Sequence, residues 1–312
     1  KHGTVRLITY KASTTNKIPA NSHVCNVAWN MEHSNCIALG HDCGRVIVKK
    51  IGRSESILFN KNRRSARGSV NILQWDTRSI LYLLVGYVGG NIVLWDTEQC
   101  VEAQIYNAGS TIQAKRGNAG LLALQWVHGQ VGNFISVESN TCKVKLWNVS
   151  QSEPLGSHFV RSETKNSSRY LSRTCPLIGK GYDQKTLCAF SDGSIGIYSL
   201  KTHRLEYESF EGHRETIFGM SYNPLKKNLL ATSSYDGFIK LWHEPTMTLQ
   251  NSLRFESSVY DISFSPCGSF LACVTQNGLV AICNASLDSN GVISDNDNHK
   301  YQSSFASKTS ED

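Results

Sequence analysis

The chain has 312 residues, 40% of them hydrophobic and 18% charged, with a formal net charge of +7. That apolar content excludes wholesale disorder, and no run of 18 uncharged apolar residues is present that could span a membrane. Six prolines, 24 glycines and frequent Ser and Asn point to short strands joined by turns rather than to amphipathic helices.

The first element is Gly3-Thr4-Val5-Arg6-Leu7-Ile8, a turn residue followed by alternating apolar positions, and Lys1-His2-Gly3-Thr4 before it carries no signal-like apolar core. It reads as the second half of a unit. The same frame returns at Gly44 (Val46, Val48), Gly90 (Ile92, Leu94), Cys142 (Val144, Leu146), Gly193 (Ile195, Ile197), Gly237 (Ile239, Leu241) and Gly278 (Val280, Ile282), at intervals of 41, 46, 52, 51, 44 and 41 residues. A second signature precedes six of these turns, as in Val24–Trp29, Val70–Trp75, Leu121–Trp126, Ile217–Tyr222 and Val259–Phe264. A third apolar run lies between signature and turn, as in Leu229-Leu230-Ala231-Thr232, and a more polar fourth follows, as in Val101–Tyr106 and Leu205–Phe210. Four short strands per period, repeated, is the pattern of radially arranged antiparallel sheets. Residues 161–169 read as a loop, and 286–312 as a polar C-terminal tail that could contribute to closing the last unit.

The unit with Glu211-Gly212-His213, Thr232-Ser233-Ser234-Tyr235-Asp236-Gly237 and Leu241-Trp242 resembles the Gly-His to Trp-Asp repeat of the WD-repeat β-propeller family. The resemblance covers residues 1 to about 285 as a frame and is strongest over 212–242. It implies an all-β fold: a seven-bladed WD-repeat β-propeller of four-stranded antiparallel blades, one blade split or incomplete, forming a single domain over 1–285 that begins mid-blade. It also implies that His213, Thr232, Asp236 and Trp242 form the family's buried hydrogen-bonded tetrad. His243 stands where that family usually has Asp, Trp95-Asp96 lacks a Gly-His partner, and Thr141 replaces the turn acid before Trp147-Asn148. Residues 188–198 and 213–242 together are similar to one sub-family of these proteins.

Ten cysteines are scattered singly with no CxxC pair, several within apolar strand patterns, so buried free thiols in a reducing cytoplasm or nucleus are expected. His33, Cys36, His41 and Cys43 offer two nitrogens and two sulfurs within eleven residues. Cys36 falls in a strand while His41 and Cys43 fall in a turn, so strand alternation separates them; no metal and no cofactor are expected. No Gly-x-Ser-x-Gly elbow, P-loop or His-Glu-x-x-His is present, and His213 with Asp236 and Thr232 reads as a structural network rather than a catalytic triad, so the chain is not expected to be an enzyme. Trp75-Asp76-Thr77-Arg78 mimics a W-D-x-R box but sits at the end of a first strand, out of register with the true third-strand end at Trp95-Asp96-Thr97-Glu98.

Charge supplies the remaining lead. Seven bases against one acid, Glu55, give residues 49–67 a net +6. Lys61, Arg63, Arg64 and Arg67 lie in the segment joining one unit to the next; Lys115 and Arg116, then Arg161, Lys165 and Arg169, then Arg214 occupy the corresponding segments. The expected function is a non-catalytic scaffold within a larger intracellular assembly, binding protein or peptide partners on a propeller face. The alternative is a basic face that binds an acidic or phosphorylated peptide, a phosphoinositide headgroup or a nucleic-acid backbone. Nucleic acid is disfavoured because the tryptophans sit in strands and no base-stacking motif is present.

Overall fold

The structure, a computed structural model, describes residues 22–30, 36–50, 56–59, 68–76, 82–108, 121–127, 129–138, 142–160, 169–177, 184–209, 212–226, 228–244 and 246–284. These hold 23 strands in six antiparallel sheets, five of four strands and one of three. The chain divides into two compact units, Lys1–Val160 and Arg161–Asp312.

The first unit holds three sheets. Sheet I is β1 (Val24–Trp29), β2 (Cys36–His41), β3 (Val46–Lys50) and β4 (Ser56–Phe59). Sheet II is β5 (Val70–Trp75), β6 (Tyr82–Tyr87), β7 (Asn91–Asp96) and β8 (Val101–Asn107). Sheet III is β9 (Leu121–Trp126), β10 (Asn133–Glu138), β11 (Lys143–Asn148) and β12 (Gly156–Phe159). In the second unit, sheet IV is β13 (Leu171–Pro176), β14 (Lys185–Phe190), β15 (Ile195–Ser199) and β16 (Arg204–Ser209). Sheet V is β17 (Ile217–Tyr222), β18 (Leu229–Ser234), β19 (Phe238–His243) and β20 (Thr248–Arg254), and sheet VI is β21 (Val259–Phe264), β22 (Phe270–Thr275) and β23 (Val280–Asn284). Within each unit the first strands of successive sheets lie side by side.

The turn frame read from the sequence has a backbone cause. Gly44, Gly90, Gly193, Gly237 and Gly278 all take φ between 80° and 83°, where a side chain is disfavoured, and Cys142 is held at φ 51° in the same place. The carbonyl of this residue then accepts an N–H from just beyond the fourth strand: Gly90 from Ala108 (3.0 Å), Cys142 from Val160 (2.8 Å), Gly193 from His213 (2.7 Å) and Gly237 from Phe255 (2.8 Å). These four tight turns are thereby tied to the chain just beyond their own sheets.

Packing is sheet on sheet. Val46, Val48 and Ala38 of sheet I meet Val70, Leu73 and Trp75 of sheet II; Leu84, Ile92 and Leu94 of sheet II meet Leu121, Leu124 and Trp126 of sheet III. In the second unit, Leu187 and Ile197 meet Ile217 and Trp242, and Leu229 and Leu241 meet Ile262, Phe264 and Leu271. The middle strands are therefore buried on both faces, as in β6, β14 and β18, and in β6 the sequence runs continuously apolar. Indole N–H groups cross these seams: Trp75 donates to the Ala28 carbonyl at 3.1 Å and Trp126 to that of Gln74 at 3.5 Å.

Each first strand also carries a bulge at its second residue, where the register skips Cys25, Asn71, Leu122, Ser172, Phe218 and Tyr260 in turn. A bulge re-aims the skipped side chain.

The expectation of seven blades is corrected to six. The frame counts third strands, of which the sequence has seven, but a third strand needs a first and second strand to seat it, and six such pairs are present among the described residues. The seventh frame, at Gly3, and the tail 286–312 lie outside the described residues, and sheet VI has three strands among them.

Candidate functional site

The most connected polar group lies in sheet V. His213 enters from the loop before β17, Thr232 from the middle of β18, Asp236 from the β18–β19 turn and Trp242 from β19. His213 Nδ1 lies 3.0 Å from Asp236 Oδ2, its Nε2 lies 2.8 Å from Thr232 Oγ1, and the Trp242 indole N–H donates to that same oxygen at 2.9 Å. An indole N–H can only donate, so Thr232 accepts from Trp242; with the ionised, acceptor-only Asp236 carboxylate at Nδ1, the Thr232 proton goes to His213 Nε2. That requires a neutral imidazole protonated at Nδ1, which donates to the Asp236 carboxylate.

The electrostatics agree. Burial lowers the His213 pKa against the opposing pull of Asp236, keeping the ring neutral. Burial by itself would raise the Asp236 carboxyl, but hydrogen bonds from His213 and from the Arg214 and Phe238 backbone N–H groups outweigh it and hold the pKa at about 2. Both ring nitrogens are occupied and the imidazole has no solvent exposure, so substrate has no route to this histidine.

The other sheets keep fragments of the arrangement. In sheet III Ser136 takes the threonine position and accepts the Trp147 indole N–H at 2.9 Å. In sheet VI the corresponding positions are the buried thiols of Cys273 and Cys283. Lys145 and Lys240, equivalent in β11 and β19, each donate to a carbonyl of the loop before their sheet, Ala108 and Gly212. Turns after the third strand are closed by the residue following the aromatic. Asp96 Oδ1 accepts from the N–H groups of Glu98 and Gln99 at 2.9 Å, Asn148 Oδ1 accepts from that of Ser150 at 3.0 Å, and His243, where an acid was expected, sits 3.0 Å from Thr246 Oγ1.

Of the ten basic residues proposed for a ligand face, Lys61, Arg63, Arg64, Arg67, Lys115, Arg116, Arg161 and Lys165 lie outside the described residues. Arg214 is exposed, its backbone N–H donating to Asp236. Arg169 is not a surface charge. Its side chain is only 6% exposed, lies over the Phe190 ring at 4.1 Å, donates to Ser194 Oγ at 3.2 Å and stands 3.8 Å from Asp192, the turn acid of sheet IV. It does for its turn what His213 does for that of sheet V. Among the zinc candidates His33 is outside the described residues, and His41 Nδ1 lies 3.2 Å from Ser22 Oγ. Among the described residues no three His, Cys, Asp or Glu side chains are placed to share a metal ion, and no helix is long and apolar enough to cross a membrane.

Two features escaped the sequence reading. Asn223, buried after β17, donates to the Gly268 carbonyl of sheet VI at 2.8 Å while its Oδ1 accepts from the N–H groups of Leu225 and Lys226. Asn223-Pro224 and Ser265-Pro266 at matching positions were the available signal. Arg173 of β13 reaches past β17 to Asp261 of β21 at 3.2 Å, a pairing across 88 residues that no local pattern announces.

Comparison with known proteins agrees with this architecture. Residues 205–243 and 244–284 each match the family model described as WD domain, G-beta repeat. Dynein axonemal intermediate chain 4 of Mus musculus is 18% identical over 290 residues, 83% of this chain but 36% of its own length, so the chain spans about a third of that relative. Coronin-7 of Rattus norvegicus is 35% identical over 72 residues, 23% of this chain and 8% of its own. WD repeat-containing protein SL1-17 of Schistosoma mansoni is 33% identical over 101 residues, 31% of this chain and 33% of its own. Among solved structures, the β-propeller domain of Cps50 (Swd1) from Myceliophteria thermophila superposes with a TM-score of 0.70 at 15% identity, covering 87% of this chain and 85% of that one. The C-terminal WD40 domain of Sif2 gives 0.63 at 16%, covering 86% and 68%. The fold is a β-propeller, and the repeats over 205–284 are of the WD40 kind. The narrower likeness of residues 188–198 and 213–242, to WD repeat-containing protein 17, is not shown by these comparisons.

Proposed function

We propose that this chain is a non-catalytic protein-interaction module, a rigid WD40 scaffold that presents loops and turns to protein or peptide partners inside the cell. The observation that carries the reading is the sealed His213 network: the constellation most like a catalytic triad is buried and fully hydrogen-bonded, holding a loop to a turn. Recognition then falls to the exposed turns and bulged first-strand residues, where a rigid repeat fold carries variable side chains. Ten free cysteines support an intracellular setting. A kinship with WD repeat-containing protein 17 would rest on residues 188–198 and 213–242 alone.

Affinity capture with the 312-residue chain as bait, followed by mass spectrometry, tests the reading. Reproducible capture that survives His213→Ala, in a preparation verified as folded, supports it. Loss of capture on replacing Lys61, Arg63, Arg64 and Arg67 by Ser, together with a steep fall in affinity between low and physiological salt, would favour the anionic-ligand alternative instead.

A further inference from the structure

Two positions recur at the end of each sheet that carries the tight turn: the bulged second residue of the first strand, and the turn residue two before the frame position. Across the six sheets the bulged residues are Cys25, Asn71, Leu122, Ser172, Phe218 and Tyr260. Among the described residues the turn residues are Asp42, Val88, Ser191, Tyr235 and Gln276. Three of these eleven are aromatic, and all three gather at the junction of sheets V and VI. The Phe218 ring lies 5.4 Å from that of Tyr260 at 87° and 6.2 Å from that of Tyr235 at 65°. Tyr235 is 47% exposed and Tyr260 39%, so the rings are not core.

The cluster is rigidly supported. The Tyr235 N–H donates to the Thr216 carbonyl at 3.0 Å, and its own carbonyl accepts from Ser258 Oγ at 2.9 Å. Gly219, next to Phe218, lets the two first strands close up: a Cβ there would stand 2.5 Å from Ser233 Oγ and 2.9 Å from the Ile262 backbone nitrogen. Acids flank the rings. Glu215, whose carbonyl accepts the Ser234 hydroxyl beside Tyr235, is exposed, as is Glu256, and Asp261 follows Tyr260. The nearby bases are Arg214 and Arg173, the latter already paired with Asp261.

We propose that Phe218, Tyr235 and Tyr260 form a recognition site for a positively charged side chain, an ammonium or guanidinium, presented by an exposed segment of a partner protein. Mutually steep rings offer negative π faces to a cation, and the exposed Glu215 and Glu256 carboxylates add attraction of the same sign. An anionic or purely apolar segment would gain from the rings' area alone. The proposal rests on the scaffold reading above, of which it names one contact surface.

The probe is tetramethylammonium, titrated into the 312-residue chain while the ring signals of Tyr235 and Tyr260 are followed by NMR, with tert-butanol as a neutral group of similar size. Saturable shifts of both rings are expected, with the neutral probe about tenfold weaker. Tyr235→Ala and Tyr260→Ala should each abolish the shift at the remaining ring, and Tyr235→Phe should keep it. Equal response to the two probes, or no saturable response in the folded chain, overturns the cation site. Failure of the affinity capture would instead overturn the scaffold reading, so the two failures are distinguishable.

Discussion

Trp242 donates its indole N–H to Thr232 Oγ1 at 2.9 Å, the inner end of a network whose bond directions the Asp236 carboxylate sets. Because an ionised carboxylate can only accept, the imidazole proton points to Asp236, the bare Nε2 of the neutral ring takes the threonine proton, and the loop before β17 is locked onto the β18–β19 turn.

Removing a member should strand the rest. Trp242→Ala or Asp236→Ala should each cost about 3 kcal/mol, by cavity formation in the first case and unpaired buried donors in the second. His213→Ala combined with Asp236→Ala should cost far less than the sum of the two alone, since both dismantle one network. Chemical denaturation of the four species reads this directly, and additive losses would show four independent residues.

Acid should destabilise the chain in two steps of the same sign. The native His213 pKa is held below its ordinary 6.5, so below that pH the unfolded chain takes up a proton that the folded chain refuses, and stability falls as pH drops. Asp236 sits at about 2 against an ordinary 3.8, so its contribution, complete above 3.8, is lost as pH falls toward 2. In the Asp236→Asn variant the lower step should shrink, measured as the melting temperature across the acid range.

Arg169 should behave as a packing residue. Arg169→Ala removes a buried guanidinium from over Phe190 and from beside Asp192, and should lower stability by about 2 kcal/mol while leaving the capture of partners unchanged in the folded fraction. A loss of binding at unchanged melting temperature would return it to the ligand face.

Gly219→Ala should push β17 from β21. The added methyl meets the Ile262 backbone nitrogen and Ser233 Oγ, and overpacking of this kind costs about 1–3 kcal/mol. Thermal melts check the cost, and the Phe218–Tyr260 ring contact should loosen in the same variant.

The turn frame was legible because its cause is local: five glycines and one cysteine in a left-handed conformation, each followed by alternating residues. Sheet number was not, because the sequence repeat and the sheet are out of phase. The match over 205–243 begins in β16, the outer strand of sheet IV, and ends in β19 of sheet V. Counting frames therefore counts strands. Arg169 was misread because a charged residue in a polar loop looks exposed until its partners, Asp192 and Phe190, are brought over it by the fold. The bulges were invisible for a related reason: skipping Phe218 or Tyr260 is a matter of pairing register, which the strand's own alternation does not record.

The most direct measurement is the protonation state of His213 by ¹⁵N NMR of the imidazole in the folded chain. The ring should be protonated at Nδ1 and bare at Nε2, taking up its second proton only at a lower pH than an ordinary histidine does. A ring that titrates with the ordinary histidine pKa, or that carries its proton on Nε2, would place His213 outside the network and contradict the claim that this constellation is structural.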